Sequence, residues 1–109
     1  MRKGCYHIGN VMHIISRKRL RGFADTHPDA ATPLAAWFKM MTRRRYANGH
    51  EVRADFPSVD FLGGSLTVFD VGGNKYRLVV DLRYDLGRVY IRHVLTHREY
   101  DRRTKAGTL

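Results

Sequence analysis

Leu66-Thr-Val-Phe-Asp-Val71, Gly72-Gly-Asn-Lys75, Tyr76-Arg-Leu-Val-Val-Asp-Leu-Arg-Tyr84, Asp85-Leu-Gly-Arg88, Val89-Tyr-Ile-Arg-His-Val-Leu95 is the stretch whose reading decides the fold. Leu66 to Val71 alternates apolar and polar, the period of a half-buried strand. Gly72-Gly73-Asn74 supplies residues that accept a positive φ, as a tight hairpin needs. Tyr76 to Tyr84 is the second strand, Asp85-Leu86-Gly87 turns the chain, and Val89 to Leu95 is the third, a meander. Burial of one face sets the expected register: Tyr84 opposite Val89, Leu82 opposite Ile91, Val80 opposite His93 and Leu78 opposite Leu95. The other face then has Arg77 across from Thr96 and Asp81 across from Arg92, with no carboxylate nearer to Arg77 than Asp81. His93 falls on the core side.

Outward from the meander, Val11 to Ile15 is rich in β-branched residues and reads as a short first strand. Ser16 is placed to cap a helix from Arg17 to Thr26, which His27-Pro28 stops. Asp29 to Ala47 carries Leu34, Trp37, Phe38 and Met41 at steps of three and four, one buried helical stripe that makes Trp37 a core residue. Arg43-Arg44-Arg45 would end that helix, complementing its dipole, and Asn48-Gly49 would close it. His50 to Ser58 reads as a polar connection. Two helices covering the apolar side of an antiparallel sheet give an α+β architecture, with the cationic side left open.

The whole chain has 109 residues, 20 Lys and Arg against 10 Asp and Glu, and a formal charge of +10. Such an excess concentrates polyanions, and arginine outnumbering lysine favours forked phosphate contacts. Nucleic acid is therefore the expected partner, with an acidic protein as the bland alternative. One cysteine, Cys5, rules out an internal disulfide framework and fits a cytoplasmic setting. No apolar run reaches the ~20 residues of a membrane helix, and residues 1–10 lack the apolar core of a secretory signal. Cys5 has no soft partner nearby for a metal, and Gly72-Gly73 lacks the Lys-Ser/Thr ending of a nucleotide loop. No metal and no cofactor are expected.

The residues that point to chemistry cluster after Phe69. Lys75, Arg77 and Arg92 offer cations, with Asn74 and Arg98 beside them as further phosphate contacts. Histidine is the side chain type suited to proton transfer near neutral pH, which makes His97 a candidate. Tyr100 would share a helical face with His97 if a turn starts at Thr96, which would then cap it. Asp101 would orient His97 or cap the tail. Cations, an imidazole, a phenol and a carboxylate at one sheet edge can bind a phosphodiester and move protons around it.

Leu34-x-x-Trp37, Phe56-Pro-Ser58, Val71-Gly-Gly-Asn-Lys-Tyr-Arg-Leu78, Tyr90-Ile-Arg92 and Thr96-His-x-x-Tyr-Asp101 occur here in the order found in HigB toxins. The resemblance to that RelE-like group covers about residues 12 to 103. It implies a RelE-like α+β domain with a short C-terminal helical tail. It also implies an mRNA interferase of a type II toxin–antitoxin system, working without metal in the ribosomal A site. The implied partners are mRNA, the ribosome and a helix-turn-helix antitoxin, with operator DNA reached only through the antitoxin complex. Arg77, His97 and Tyr100 become the expected catalytic set, and Lys75, Arg92, Arg98 and Asn74 the expected RNA-binding set. Residues 12–109 would form one toxin domain and 1–11 an extension upstream of the usual start. Asp70, where relatives commonly have asparagine, Tyr46, where many have tryptophan, and Asp81 depart from the pattern. The competing readings are an inert basic RNA- or antitoxin-binding module, such as a decayed toxin, and a ribosome-associated structural protein.

Overall fold

A computed structural model describes residues 11–109, so all but one residue of the expected extension lies outside the described residues. The elements run β1 (His13–Ile15), α1 (Arg17–Thr26), a 3-10 turn (Pro28–Ala30), α2 (Ala31–Met41), α3 (Gly49–Asp55), β2 (Asp60–Gly63), β3 (Leu66–Val71), β4 (Tyr76–Arg83), β5 (Arg88–Thr96) and α4 (His97–Ala106). The five strands form one sheet in the order β1-β5-β4-β3-β2. Strands β2 to β5 are an antiparallel meander, while β1 joins β5 in parallel, so the sheet is mixed. The α+β architecture, the short first strand and the C-terminal helical tail are as expected.

Three local expectations fail for identifiable reasons. Ser16 does not cap α1 with its side chain; it adopts φ 73°, a left-handed conformation, where the chain turns from β1 into the helix. The long second helix stops at Met41, because the arginines after it are engaged elsewhere. The Arg44 carbonyl accepts the Met12 N–H at 3.1 Å, and the Arg45 guanidinium donates to the carbonyls of Tyr84 and Asp85. Asn48 then starts a helix instead of ending one: its Oδ1 accepts the Glu51 N–H at 3.1 Å and opens α3 in the supposed connection.

The core lies under one sheet face. Even-numbered residues of β4, Tyr76 to Leu82, and Phe69, Val71, Val89 and Ile91 of its neighbours meet Leu34, Trp37 and Met41 of α2. The Trp37 ring packs edge-on to Phe69 with centroids 5.5 Å apart, in keeping with its expected core position. Tyr46 is buried in the same core, with its hydroxyl donating to Asp55 Oδ2 at 2.6 Å.

The β4–β5 loop covers residues 84–87 where the expected pairing had 85–88, and this moves the register. Arg83 pairs with Arg88 and Leu82 with Val89, not with Ile91. In β5 the register then shifts: Val80 pairs with Ile91 but Val79 with His93, leaving Arg92 as a bulged extra residue. Beyond the bulge Leu78 meets Val94, Arg77 meets Leu95 and Tyr76 meets Thr96. His93 therefore shares the outer face with Val79 and is not on the core side. That outer face is not wholly open either, since Val68, Val79 and Leu95 form a second small cluster under Tyr100 and Leu109.

Candidate active site

The candidate site sits where the β3–β4 hairpin meets the start of α4. Gly72 and Gly73, at φ 65° and 68°, allow that hairpin, and a side chain at Gly72 would press on the Tyr76 ring. Pairing of Tyr76 with Thr96 delivers the chain into α4 beside the loop, and the His97 N–H donates to the Lys75 carbonyl at 3.0 Å. Thr96 caps α4 as expected. Its hydroxyl accepts the Glu99 N–H, and the Glu99 carboxylate accepts the Thr96 N–H, a reciprocal capping box. The cap starts the helix at His97, so His97, Tyr100 and Asp101 project from its first turns.

His97 Nδ1 lies 3.1 Å from Asp101 Oδ2, one turn along α4. With the Nδ1 proton given to that carboxylate, Nε2 is the nitrogen left to take a proton. Both side chains are about half exposed, so the pair is open to a ligand. Tyr100 leans on the outer apolar cluster, with the Arg77 guanidinium 5.7 Å from its ring centre.

Each of the three cations expected to bind phosphate in the strands and hairpin already has a carboxylate. Arg77 stands directly opposite Asp70 and is not the carboxylate-free residue the sequence predicted; Nε lies 3.1 Å from Asp70 Oδ1. Its Nη1 donates to the carbonyls of Asn74 and Tyr76, and its Nη2 to Asn74 Oδ1. Three hydrogen bonds and an ion pair thus hold the guanidinium, and the side chain is 11% exposed. Asn74 is accordingly a partner of Arg77. Lys75 reaches Asp29, ahead of α2, which also accepts from the Tyr76 hydroxyl. The Lys75 hydrogen bond, then that of Tyr76, holds the Asp29 carboxyl below its ordinary value. The same contacts raise Lys75 and Tyr76 above theirs.

Arg92 does meet Asp81, at 2.9 Å, but through the bulge and not through direct pairing. It lies farther along the sheet, about 10 Å from the Arg77–Leu95 pair at roughly 3.3 Å per residue. Arg98, on the first turn of α4, is exposed and forms no ion pair among the described residues. The structure thus gathers Lys75, Arg77, Asn74, His97, Tyr100 and Asp101 and leaves Arg92 apart. Sequence reading missed Asp29, which is remote in the chain. It missed Asp70 because only β4 and β5 were set in register, and the pairing of β3 with β4 puts Asp70 opposite Arg77.

Residues 30–103 match the HigB toxin family, described as the RelE-like toxic component of a toxin–antitoxin system. This chain belongs to the HigB toxin family. A protein from Escherichia coli (strain K12) described as "mRNA interferase toxin HigB" is 36% identical over 93 residues, covering 83% of this chain and 88% of its own. An "mRNA interferase HigB" from Escherichia coli O6:H1 is 29% identical over 96 residues, covering 86% of this chain and 93% of its own. No helix among the described residues is long and apolar enough to cross a membrane.

Proposed function

We propose that this HigB-family protein is an endoribonuclease that cleaves mRNA as the toxic half of a toxin–antitoxin pair, in the ribosomal A site and in the cytoplasm. The observation that carries this reading is the His97–Asp101 pair, 3.1 Å apart and held against the Lys75 backbone at the rim of a +10 chain. An imidazole with one nitrogen tied to a carboxylate is a general base with the other nitrogen forward.

In the proposed reaction His97 Nε2 takes the proton of a ribose 2′-hydroxyl. The 2′ oxygen attacks the adjacent phosphorus, the bond to the 5′ oxygen breaks, and the products are a 2′,3′-cyclic phosphate and a 5′-hydroxyl. Tyr100, on the same helix, donates the proton that the departing oxygen needs. Lys75 turns from Asp29 to the phosphate, and Arg77 presents its guanidinium charge to it. Arg92 and Arg98 hold flanking phosphates, and Asp101 orients His97. An antitoxin of the helix-turn-helix type blocks the protein and carries the pair to operator DNA.

A second reading is favoured by one observation: Lys75, Arg77 and Arg92 all have internal carboxylate partners. A site so neutralised would suit a binder of RNA or antitoxin that no longer cuts. Mapping of mRNA 5′ ends in a reconstituted translation reaction separates the two. Cuts at A-site codons that need ribosomes and vanish in His97→Ala are expected. Cuts that survive the substitution move the base elsewhere, and no cuts with wild type favour the inert binder.

A further inference from the structure

Where β5 outruns β1, a second basic concavity forms, of which the proposed reaction uses only Arg92. β1 pairs only with Arg88, Val89 and Tyr90. From Arg92 to Leu95, β5 therefore has β4 on one side and no strand on the other among the described residues. A recess of about 340 Å³ opens here, lined by Arg19 and Phe23 of α1, Arg92, His93 and Leu95 of β5, and Arg103 of α4. The bulge at Arg92 is what brings two consecutive polar side chains, Arg92 and His93, to this place.

The three arginines are anchored but not neutralised as a set. Arg19 Nη1 donates to the Arg92 carbonyl at 3.2 Å, and Arg103 Nη1 to the Thr108 carbonyl at 3.4 Å. Arg92 Nη1 is held by Asp81, the one carboxylate in contact with the group among the described residues. Each contact steadies a guanidinium and leaves it further donors. The charge shows in the half-buried imidazole between them: burial, then Arg103, Arg92 and Arg19, push the His93 pKa down. Cations held this close repel one another, and a bound anion relieves that repulsion.

We propose that this recess, built by Arg19, Arg92, His93 and Arg103, binds a backbone phosphate of RNA outside the cleavage site. It rests on RNA being the ligand of the neighbouring site. Leu95, which lines the recess, pairs with Arg77, and α4 spans the six residues from His97 to Arg103, about 9 Å at 1.5 Å per residue. An RNA strand at His97 has only a short way to run before it meets the arginines. Forked guanidinium donors suit the non-bridging oxygens of a phosphodiester. Protonation of His93 adds a further donor, so the recess holds an anion more tightly as pH falls.

Two measurements on the full chain test this, and neither reads cleavage. In the first, the His93 imidazole is titrated by NMR with and without inorganic phosphate. Its midpoint is expected to rise by about half a pH unit or more with phosphate, and to stay put in the double variant Arg19→Ala/Arg103→Ala. An unmoved midpoint in wild type overturns the anion site. In the second, binding of a 2′-O-methyl RNA oligonucleotide is compared between that variant and Lys39→Ala/Arg53→Ala, which loses the same charge from α2 and α3. The recess variant should weaken about tenfold more, with a salt slope shallower by about 0.7, one phosphate contact. Equal weakening overturns the RNA assignment and leaves a site for free anions. A failed cleavage assay would instead strike the ribonuclease reading and leave these two results untouched.

Discussion

On the helix-covered face of the sheet, Phe69, Leu78, Val80, Leu82, Val89 and Ile91 meet Leu34, Trp37 and Met41, and none is more than 4% exposed. On the outer face the same strands present Asp70, Arg77, Asp81, Arg92 and His93 around a nucleus of only Val68, Val79 and Leu95. The first face supplies most of the apolar burial that holds the domain together. The second is charged, yet Arg77 and Arg92 are matched with Asp70 and Asp81 across the sheet, so their charge costs the fold little. At its rims Arg19, Arg98 and Arg103 form no ion pair among the described residues. Chemistry has accumulated where packing demands least, and substitutions on the two faces should therefore fail in different ways.

The largest expected effect is on the outer face and on rate alone. His97→Ala should slow mRNA cleavage by about 10²–10⁴ while its urea midpoint stays at the wild-type value. A matching loss of stability would mean that the histidine is part of the fold. On the core face, Phe69→Ala should cost about 3–5 kcal/mol, whereas Leu95→Ala should fall near 2 kcal/mol because its cluster is small and can close up. Equal costs, measured by denaturant titration, would erase the distinction between the faces.

Arg77 tests the boundary between them. Its truncation leaves Asp70 without its cation, for a loss of about 1–3 kcal/mol, so Arg77→Ala should be impaired in both stability and cleavage. Adding Asp70→Ala should recover most of the stability without the activity. If Arg77→Ala cleaves at the wild-type rate, the guanidinium has no part in the reaction.

The smallest effect concerns Asp29. Its folded pKa lies below the ordinary 3.8, so its contacts with Lys75 and Tyr76 stabilise at pH values above that and are lost as pH falls through the lowered value. Asp29→Asn should lower stability slightly across the neutral region, flatten this part of the acid limb of a stability–pH curve and leave its most acidic end nearly unchanged. An unaltered acid limb would show that the contact contributes nothing in solution.

Much of the fold was legible because its signals are local. Alternation marked the three main strands, the Leu34–Trp37–Met41 stripe marked α2, and Thr96 as the cap of a turn carrying His97 and Tyr100 marked the start of α4. What failed depended on partners distant in the chain. Nothing near Arg43–Arg45 says that Met12, Tyr84 and Asp85 will claim that segment and end the helix. The polar reading of His50 to Ser58 overlooked α3, a helix of only seven residues that Asn48 caps. In the candidate site, His97, Tyr100 and Asp101 were readable as a group because four residues of one helix separate the first from the last.

By itself, the sequence determined that this is a basic α+β chain of the HigB family with a meander sheet, and that His97 and its neighbours start a helix beside the Lys75 hairpin. Composition, period and capping chemistry act within a few residues, so they can be read in order along the chain. Only the tertiary structure decided which charges are spent and which remain. Two four-residue loops and the bulge at Arg92 set the register, because burial of β4 and β5 had to be satisfied on both sides of the sheet at once. That register placed Asp70 against Arg77 and turned His93 outward into the arginine recess. A shift of one residue reverses which face a side chain joins, and no local signal records it.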